Sequence, residues 1–472
     1  MGVCMIQILN WLNSVVWGLP ALGLIVGVGV CLSIRTGFAQ IRLFPNSLRS
    51  FLHPINAAEN SKKRALCTAL AATVGTGNLA GVAGAICLGG PGAVFWMWVC
   101  GLLGMITKFA EATLAVLHRR KNTDGTYYGG PMYMIVDTMR SNWHWLAYVY
   151  CFFGVVASFG VGNSTQINTV IGGINSALDA FNVEQNIWID VIVGVALGGM
   201  IFCILSKGSA GIGAATERLV PVAAVLYVLL CVFALMLRRH EILNAFRVIL
   251  EGAFSPGAIT GGVVGSVFIS LRVGAARGVF TNEAGMGTAS MAHATANVTH
   301  PTEQGMMGII EVFIDTIVIC TLTALVILCS NVPVPYGTDV GIALTTDAFV
   351  SIFGQWVSVF ISLALCLFAF ATVLGWGLYG IQCARFLFGD RSITGFVYLQ
   401  AIMAMISGVI RTETLWLFAQ IINGLMAIPN LIVLIKQIPE VSDAVNDFEK
   451  KKNLGELWVR NAVFPGDRKA DS

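Results

Sequence analysis

The chain has 472 residues, 56% hydrophobic and 11% charged, with a net charge of +3 and a mean hydropathy of +0.78. A soluble globular protein carries about 25% charged residues, so the composition points to an all-α polytopic membrane protein and excludes a soluble enzyme or a nucleic-acid binder. The twelve cysteines lie in apolar segments without paired spacing, and the six histidines form no H-E-x-x-H pattern. Neither a disulfide framework, a zinc site nor an organic cofactor is expected.

Runs with little or no charge mark eleven candidate membrane spans. They lie near residues 14–33, 65–88, 91–117, 145–177, 187–205, 219–237, 252–271, 304–330, 356–384, 392–410 and 414–435. Nothing charged precedes Arg35, so the first 33 residues lack the basic start of a signal peptide and read as a retained span. The short apolar stretch Gly341–Phe353 reads as an interfacial helix.

Lys and Arg gather in cytoplasmic loops. The loop after the first span holds Arg35, Arg42, Arg49, Lys62, Lys63 and Arg64, which places it inside and the N-terminus outside. Alternation then places Arg119, Arg120, Lys121, Arg140, Lys207, Arg218, Arg272, Arg277, Arg385, Arg391 and the tail lysines Lys450, Lys451 and Lys452 inside. The loops near 178–186 and 331–340 hold no Lys or Arg and fall outside; Arg238, Arg239, Arg247 and Arg411 also fall outside, against the rule.

Spans two to six and seven to eleven form two sets of five, and an odd number per set inverts the second set in the membrane. The expected organisation is therefore an extra N-terminal span with its basic loop (1–64), two inverted five-helix repeats (65–237 and 238–437) and a cytoplasmic tail (438–472). In such repeats the transport site lies at mid-membrane, where interrupted helices of the two halves meet.

The second span contains Thr73-Val74-Gly75-Thr76-Gly77-Asn78, loop-like residues inside an uncharged run. Unwound backbone at membrane depth survives only inside protein or beside a cavity. Close helix packing is the alternative reading of the two glycines. The seventh span repeats the character with Gly261, Gly262, Gly265, Ser266 and Ser270, and Arg277–Gly287 beyond it reads as a cytoplasmic half-helix or re-entrant piece. In the fourth span, helical spacing puts Asn163 and Gln166 on one face, facing either a common cavity or another helix. Thr372 and Trp376 share a face of the ninth span, where a hydroxyl ligand beside an aromatic wall suits a sodium ion and a small amphiphile. Glu311 and Asp315, at i, i+4 in the eighth span, are candidates to ligate a cation, to shuttle a proton or to pair with Arg272 or Arg277. Lys108 and Glu111 fit snorkelling at the inner end of the third span.

The segments ALAATVGTGNLAGVAGAI, GTYYGGPMYMI, GVGNSTQIN, ARGVFTNEAGMGTA and EVFIDTIVICTLTALVI together resemble the alanine or glycine:cation symporter family, the sodium:alanine symporters. The resemblance runs from about Gly37 to Lys436. It implies a leucine-transporter-like fold with one additional N-terminal helix. Gly75, Thr76, Gly77 and Asn78 then resemble the unwound first core helix that meets a substrate carboxylate. The carbonyls of Thr73 and Val74, with the Thr372 side chain, are similar to a sodium site, and Asp315 is a further candidate ligand. Phe268 and Ser270 resemble pocket residues of the broken sixth core helix. Gln166 matches a substrate-binding glutamine, and Trp376 closes the pocket. One departure is Arg272, which stands where this fold often has a small residue.

The function implied is sodium-coupled symport of alanine, with glycine second, across the cell membrane by alternating access. The partners are the amino acid, sodium as coupling ion and the lipid bilayer. Proton coupling through Glu311 or Asp315 is the alternative, and a channel a more distant one.

Overall fold

The computed structural model describes residues 8–454 apart from positions 10, 13, 14, 53–56, 124, 181, 182, 184, 185 and 408–412. Arg411, the end of the tenth expected span and the tail beyond 454 lie outside the described residues. The described chain is almost wholly helical; its extended part is a two-residue antiparallel ladder, Arg120–Lys121 against Tyr127–Tyr128.

The elements run α1 (Leu19–Arg35), α2 (Ala57–Thr73), α3 (Val82–Gly89), α4 (Ala93–Leu117), α5 (Pro131–Thr138), α6 (Trp145–Phe159), α7 (Thr165–Ala180), α8 (Ile187–Leu205), α9 (Gly208–Leu237), α10 (Ile242–Phe254), α11 (Val267–Asn282), α12 (Thr288–His293), α13 (Pro301–Val312), α14 (Thr321–Cys329), α15 (Ala343–Phe353), α16 (Val357–Phe388), α17 (Ser392–Ser407) and α18 (Glu413–Asn453). Among the described residues seven helices are long and apolar enough to cross a membrane, or eight when α2 and α3, bent by 53° about their break, count as one span. Short π-helical turns join α2 to α3 (Gly77–Gly81), α6 to α7 (Gly160–Ser164) and α13 to α14 (Phe313–Cys320). Such turns often mark functional positions in helices.

Two groups of helices enclose the centre. In one, α4 packs along α11 and α13; in the other, α16 packs along α6, α7 and α2. One end of the bundle is tied by ion pairs from basic loops, Lys62 to Glu303 (3.3 Å), Arg64 to Glu217 (2.9 Å) and Arg42 to Glu449 (2.6 Å). At the opposite end Arg277 meets Asp339 at 2.6 Å.

That last pair corrects the expected seventh span. Residues 261–266 are not helical: Gly261 and Gly262 have φ of +63° and +88°, and α11 starts only at Val267, capped by the Ser266 hydroxyl. Glycine-rich apolar sequence imitates a span, whereas the helix that enters the core carries Arg272 and Arg277. Arg277 therefore lies with the 331–340 loop, away from the basic end. Lys108 and Glu111 depart from expectation too, since both are fully buried instead of snorkelling.

Candidate functional site

At the first break, two glycines and two threonines remove the side-chain contacts that keep a helix wound, and the chain leaves α2 at Thr73. Asn78 folds back to accept the Gly75 amide (2.8 Å) on its Oδ1. Its Nδ2 donates to the Asp315 carboxylate (2.7 Å) and to the Asp315 carbonyl (3.2 Å). Gly75 is required by a close approach, because a Cβ there would lie 2.8 Å from the Thr372 hydroxyl of α16.

The second break lies between α11 and α12. Glu283 adopts a left-handed conformation (φ +54°), and Gly285 and Gly287 follow with φ of +91° and +76°. Glu111 accepts from the amides of Gly285 and Gly287 (both 3.0 Å) and from Asn430 Nδ2 (2.7 Å). Below it, Lys108 pairs with Glu311 (3.0 Å), whose other oxygen meets His293 Nε2 (2.9 Å). A charge buried this deeply is tolerated only when paired or hydrogen-bonded, and these partners meet that need for Glu311 and Lys108, while Glu111 is bonded through Oε1 and its Oε2 has no partner among the described residues. The two breaks are joined through Asp315, which also accepts from the Thr316 hydroxyl (2.8 Å), itself the acceptor of Asn282 Nδ2 (3.1 Å).

Between the breaks lies a small, partly closed cavity of about 30 Å³, well below the volume of a typical ligand pocket. Ala72, Thr73, Gly75, Thr76 and Gly77 form one side, Phe280 and Glu283 another, and Val161, Gln166, Thr372, Trp376 and Asn423 complete it. The Thr73 and Thr372 hydroxyls donate to the carbonyls of Ala69 (3.3 Å) and Phe368 (3.0 Å), so both present lone pairs and no proton to the cavity. Gln166 Nε2 donates to the Val161 carbonyl (3.1 Å), while its Oε1 is buried without a hydrogen-bond partner among the described residues. Trp376 Nε1 is likewise buried and unpartnered. Trp376 packs so closely on Gly162 that a Cβ there would lie 2.3 Å from its own Cβ.

Of the residues singled out from sequence, Thr73, Gly75, Thr76, Gly77, Gln166, Thr372 and Trp376 converge on this cavity. Val74 is buried beside the break, and Asn78 and Asp315 stand behind the wall, bonded to each other. Phe268 and Ser270 do not reach it. Phe268 is 47% exposed at the start of α11 and Ser270 is buried elsewhere. The break falls at the far end of that helix, so Phe280 takes the place expected of Phe268, 12 residues or about 18 Å further along. Asn163 also turns away, donating to the carbonyl of Gln400 on α17 (2.8 Å). The π-helical turn at Gly160–Ser164 shifts the phase that would have put it beside Gln166. Glu283 and Asn423 were missed, although both are polar residues in or beside glycine-containing apolar sequence, the signal that exposed the first break.

The profile of the sodium:alanine symporter family matches residues 3–461. AgcS of Methanococcus maripaludis, a sodium/alanine symporter, is 38% identical over 438 residues, 91% of this chain and 94% of its own length. GlnT of Bacillus subtilis, a probable sodium/glutamine symporter, is 34% identical over 94% of this chain and 90% of its own. Among solved structures, MhsT in complex with L-phenylalanine matches with a TM-score of 0.53 at 12% identity, covering 85% of this chain and 92% of that one. That likeness is one of fold, the leucine-transporter fold.

Proposed function

We propose that this chain, which belongs to the sodium:alanine symporter family, carries a small neutral amino acid, alanine first and glycine second, together with sodium through the cavity between its two broken helices. Membership makes it a multi-pass membrane transporter and not an enzyme. The finer reading concerns its substrate, its coupling ion and its sidedness.

The observation that carries the sodium reading is the pair of threonine hydroxyls whose protons are committed backwards along their own helices. Where α2 unwinds, its last carbonyls lose their intrahelical donors, so Thr73 and Val74 offer further oxygens. A hard cation takes such an all-oxygen shell. The substrate carboxylate docks at Thr76 and Gly77, where the helical turns resume, with Trp376 Nε1 as a further donor. Asp315 is assigned the task of holding Asn78 and, through it, the Gly75 amide. The narrow cavity between Phe280 and Trp376 favours a small side chain over one of glutamine size. Proton coupling gains no support from Glu311, which is ion-paired, or from Asp315, which faces away from the cavity.

Sodium binding orders the two breaks, the zwitterion completes the site, and the two helix groups rock to release both on the other side. The arrangement suits two inverted sets of five helices after an additional first helix. The basic end would face the cytoplasm, as would the C-terminus, with the N-terminus outside the cell membrane. The test is equilibrium binding of labelled alanine to the purified full chain. The reading expects binding that rises with sodium and is lost in Thr372→Ala; sodium-independent binding, unchanged in that variant, would refute it.

A further inference from the structure

Four carboxylates lie in the interior around the two breaks, and three of them stand outside the cavity lining, although Glu111 Oε2 is buried without a hydrogen-bond partner among the described residues. Glu311 has Lys108 and His293; Glu111 has two backbone amides and Asn430; Asp315 has Asn78 and Thr316. Glu283 is different. It is 4% exposed, and the hydrogen bond it accepts among the described residues comes from the Thr288 hydroxyl to Oε2, at 2.6 Å. No Lys, Arg or His pairs with it there. It stands in the cavity wall, held by a left-handed backbone conformation that a residue with a Cβ adopts at a cost.

A buried carboxylate with one neutral donor lacks the partners its desolvation requires. The same wall contains Gln166, 3% exposed, whose Oε1 is buried without a hydrogen-bond partner among the described residues. Two acceptor-bearing side chains, one of them a carboxyl group, line a cavity whose remaining wall includes the Trp376 and Phe280 rings. We propose that Glu283, aided by Gln166 Oε1, is the specificity-determining partner of the substrate ammonium group. This assignment rests on the reading of the cavity as an amino-acid site and adds to it the residue that demands a positively charged amine. Sodium has its own oxygens at Thr73, Val74 and Thr372, whereas an ammonium group donates three directed N–H bonds and suits a carboxylate and an amide oxygen. Trp376 Nε1, a donor, then serves the other end of the zwitterion. The substrate class is a free α-amino acid; the α-hydroxy acid and the plain carboxylic acid of the same size lack the group that Glu283 demands.

The experiment uses the full chain in proteoliposomes with sodium present, and measures competition of L-lactate and propionate against labelled L-alanine. The wild type is expected to prefer alanine over lactate by at least about 100-fold, since a site built to bond an N–H rejects the analogue lacking it. Glu283→Gln is expected to reduce that preference by about tenfold or more, the worth of a hydrogen bond to a charged group, and to raise the alanine concentration for half-maximal uptake at saturating sodium. Glu283→Asp, which keeps the charge, should retain the preference at reduced affinity. Equal competition by lactate in the wild type overturns the proposal with no variant needed. So does a Glu283→Gln protein that keeps the wild-type preference, or one whose sodium requirement shifts while the preference stays. If wild-type vesicles take up no neutral amino acid at all, the transport reading itself fails, and that result is seen before any analogue or variant is compared.

Discussion

Asn78 and Asp315 hold each other across the interior, amide to carboxylate at 2.7 Å, and through them the first broken helix is fixed to the π-helical turn of the α13–α14 span. The same asparagine accepts the Gly75 amide, so the unwound backbone is shaped by a side chain anchored 237 residues away in sequence.

Removing that anchor should loosen the site without touching the cavity wall. Asp315→Ala removes the carboxylate that accepts from Asn78 and Thr316, leaving Asn78 only the weaker bonds to the carbonyl of residue 315 and to Cys320 Sγ. A hydrogen bond to a charged group contributes about 1.5–3 kcal/mol. The expected outcome is a lower melting temperature in detergent and weaker alanine binding. Asp315→Asn, which keeps an acceptor oxygen, should recover part of both.

Gly75 tests the contact between the first break and α16. A methyl group there would lie 2.8 Å from the Thr372 hydroxyl, tighter than van der Waals contact permits. Overpacking of this kind costs about 1–3 kcal/mol. Gly75→Ala should therefore raise the sodium concentration for half-maximal binding about tenfold or more, because a tenfold change corresponds to about 1.4 kcal/mol. Thr372→Ser should not relieve the clash, since it retains the offending oxygen.

At the basic end, His118 lies between Asp137 (3.2 Å) and Glu440 (3.2 Å), joining the end of α4 to α5 and α18. Burial opposes the imidazolium, but hydrogen bonds and charge from the two carboxylates outweigh it and hold the ring at about 9 against an ordinary 6.5. The folded value is the higher one, so the stabilisation is fully present below pH 6.5 and is lost as pH rises through 9. Melting curves in detergent should fall across that window, and His118→Gln should flatten the slope.

The sequence exposes the first break because close helix packing explains the glycines alone but not threonine and asparagine beside them in an uncharged run. Thr73, Gln166, Thr372 and Trp376 could be singled out for the same reason, as polar or bulky groups on helices expected to be buried. The second break is hidden by a competing signal. Residues 261–266 are apolar and glycine-rich but form a turn, whereas Asn282–Gly287 is charged and polar yet lies in the core, where Glu111 and Asn430 satisfy its backbone. Hydropathy assigns the first to the membrane and the second to a cytoplasmic half-helix or re-entrant piece, and Phe268 is consequently chosen where Phe280 belongs. Asn163 fails for a local reason, a π-helical turn that a regular helical period does not anticipate.

The most direct measurement is uptake of labelled alanine into proteoliposomes containing the full chain, first with an inward sodium gradient and no proton gradient, then the reverse. Accumulation driven by sodium alone, and abolished in Thr372→Ala, is the predicted result. Accumulation under the proton gradient alone would contradict the sodium cage at Thr73, Val74 and Thr372.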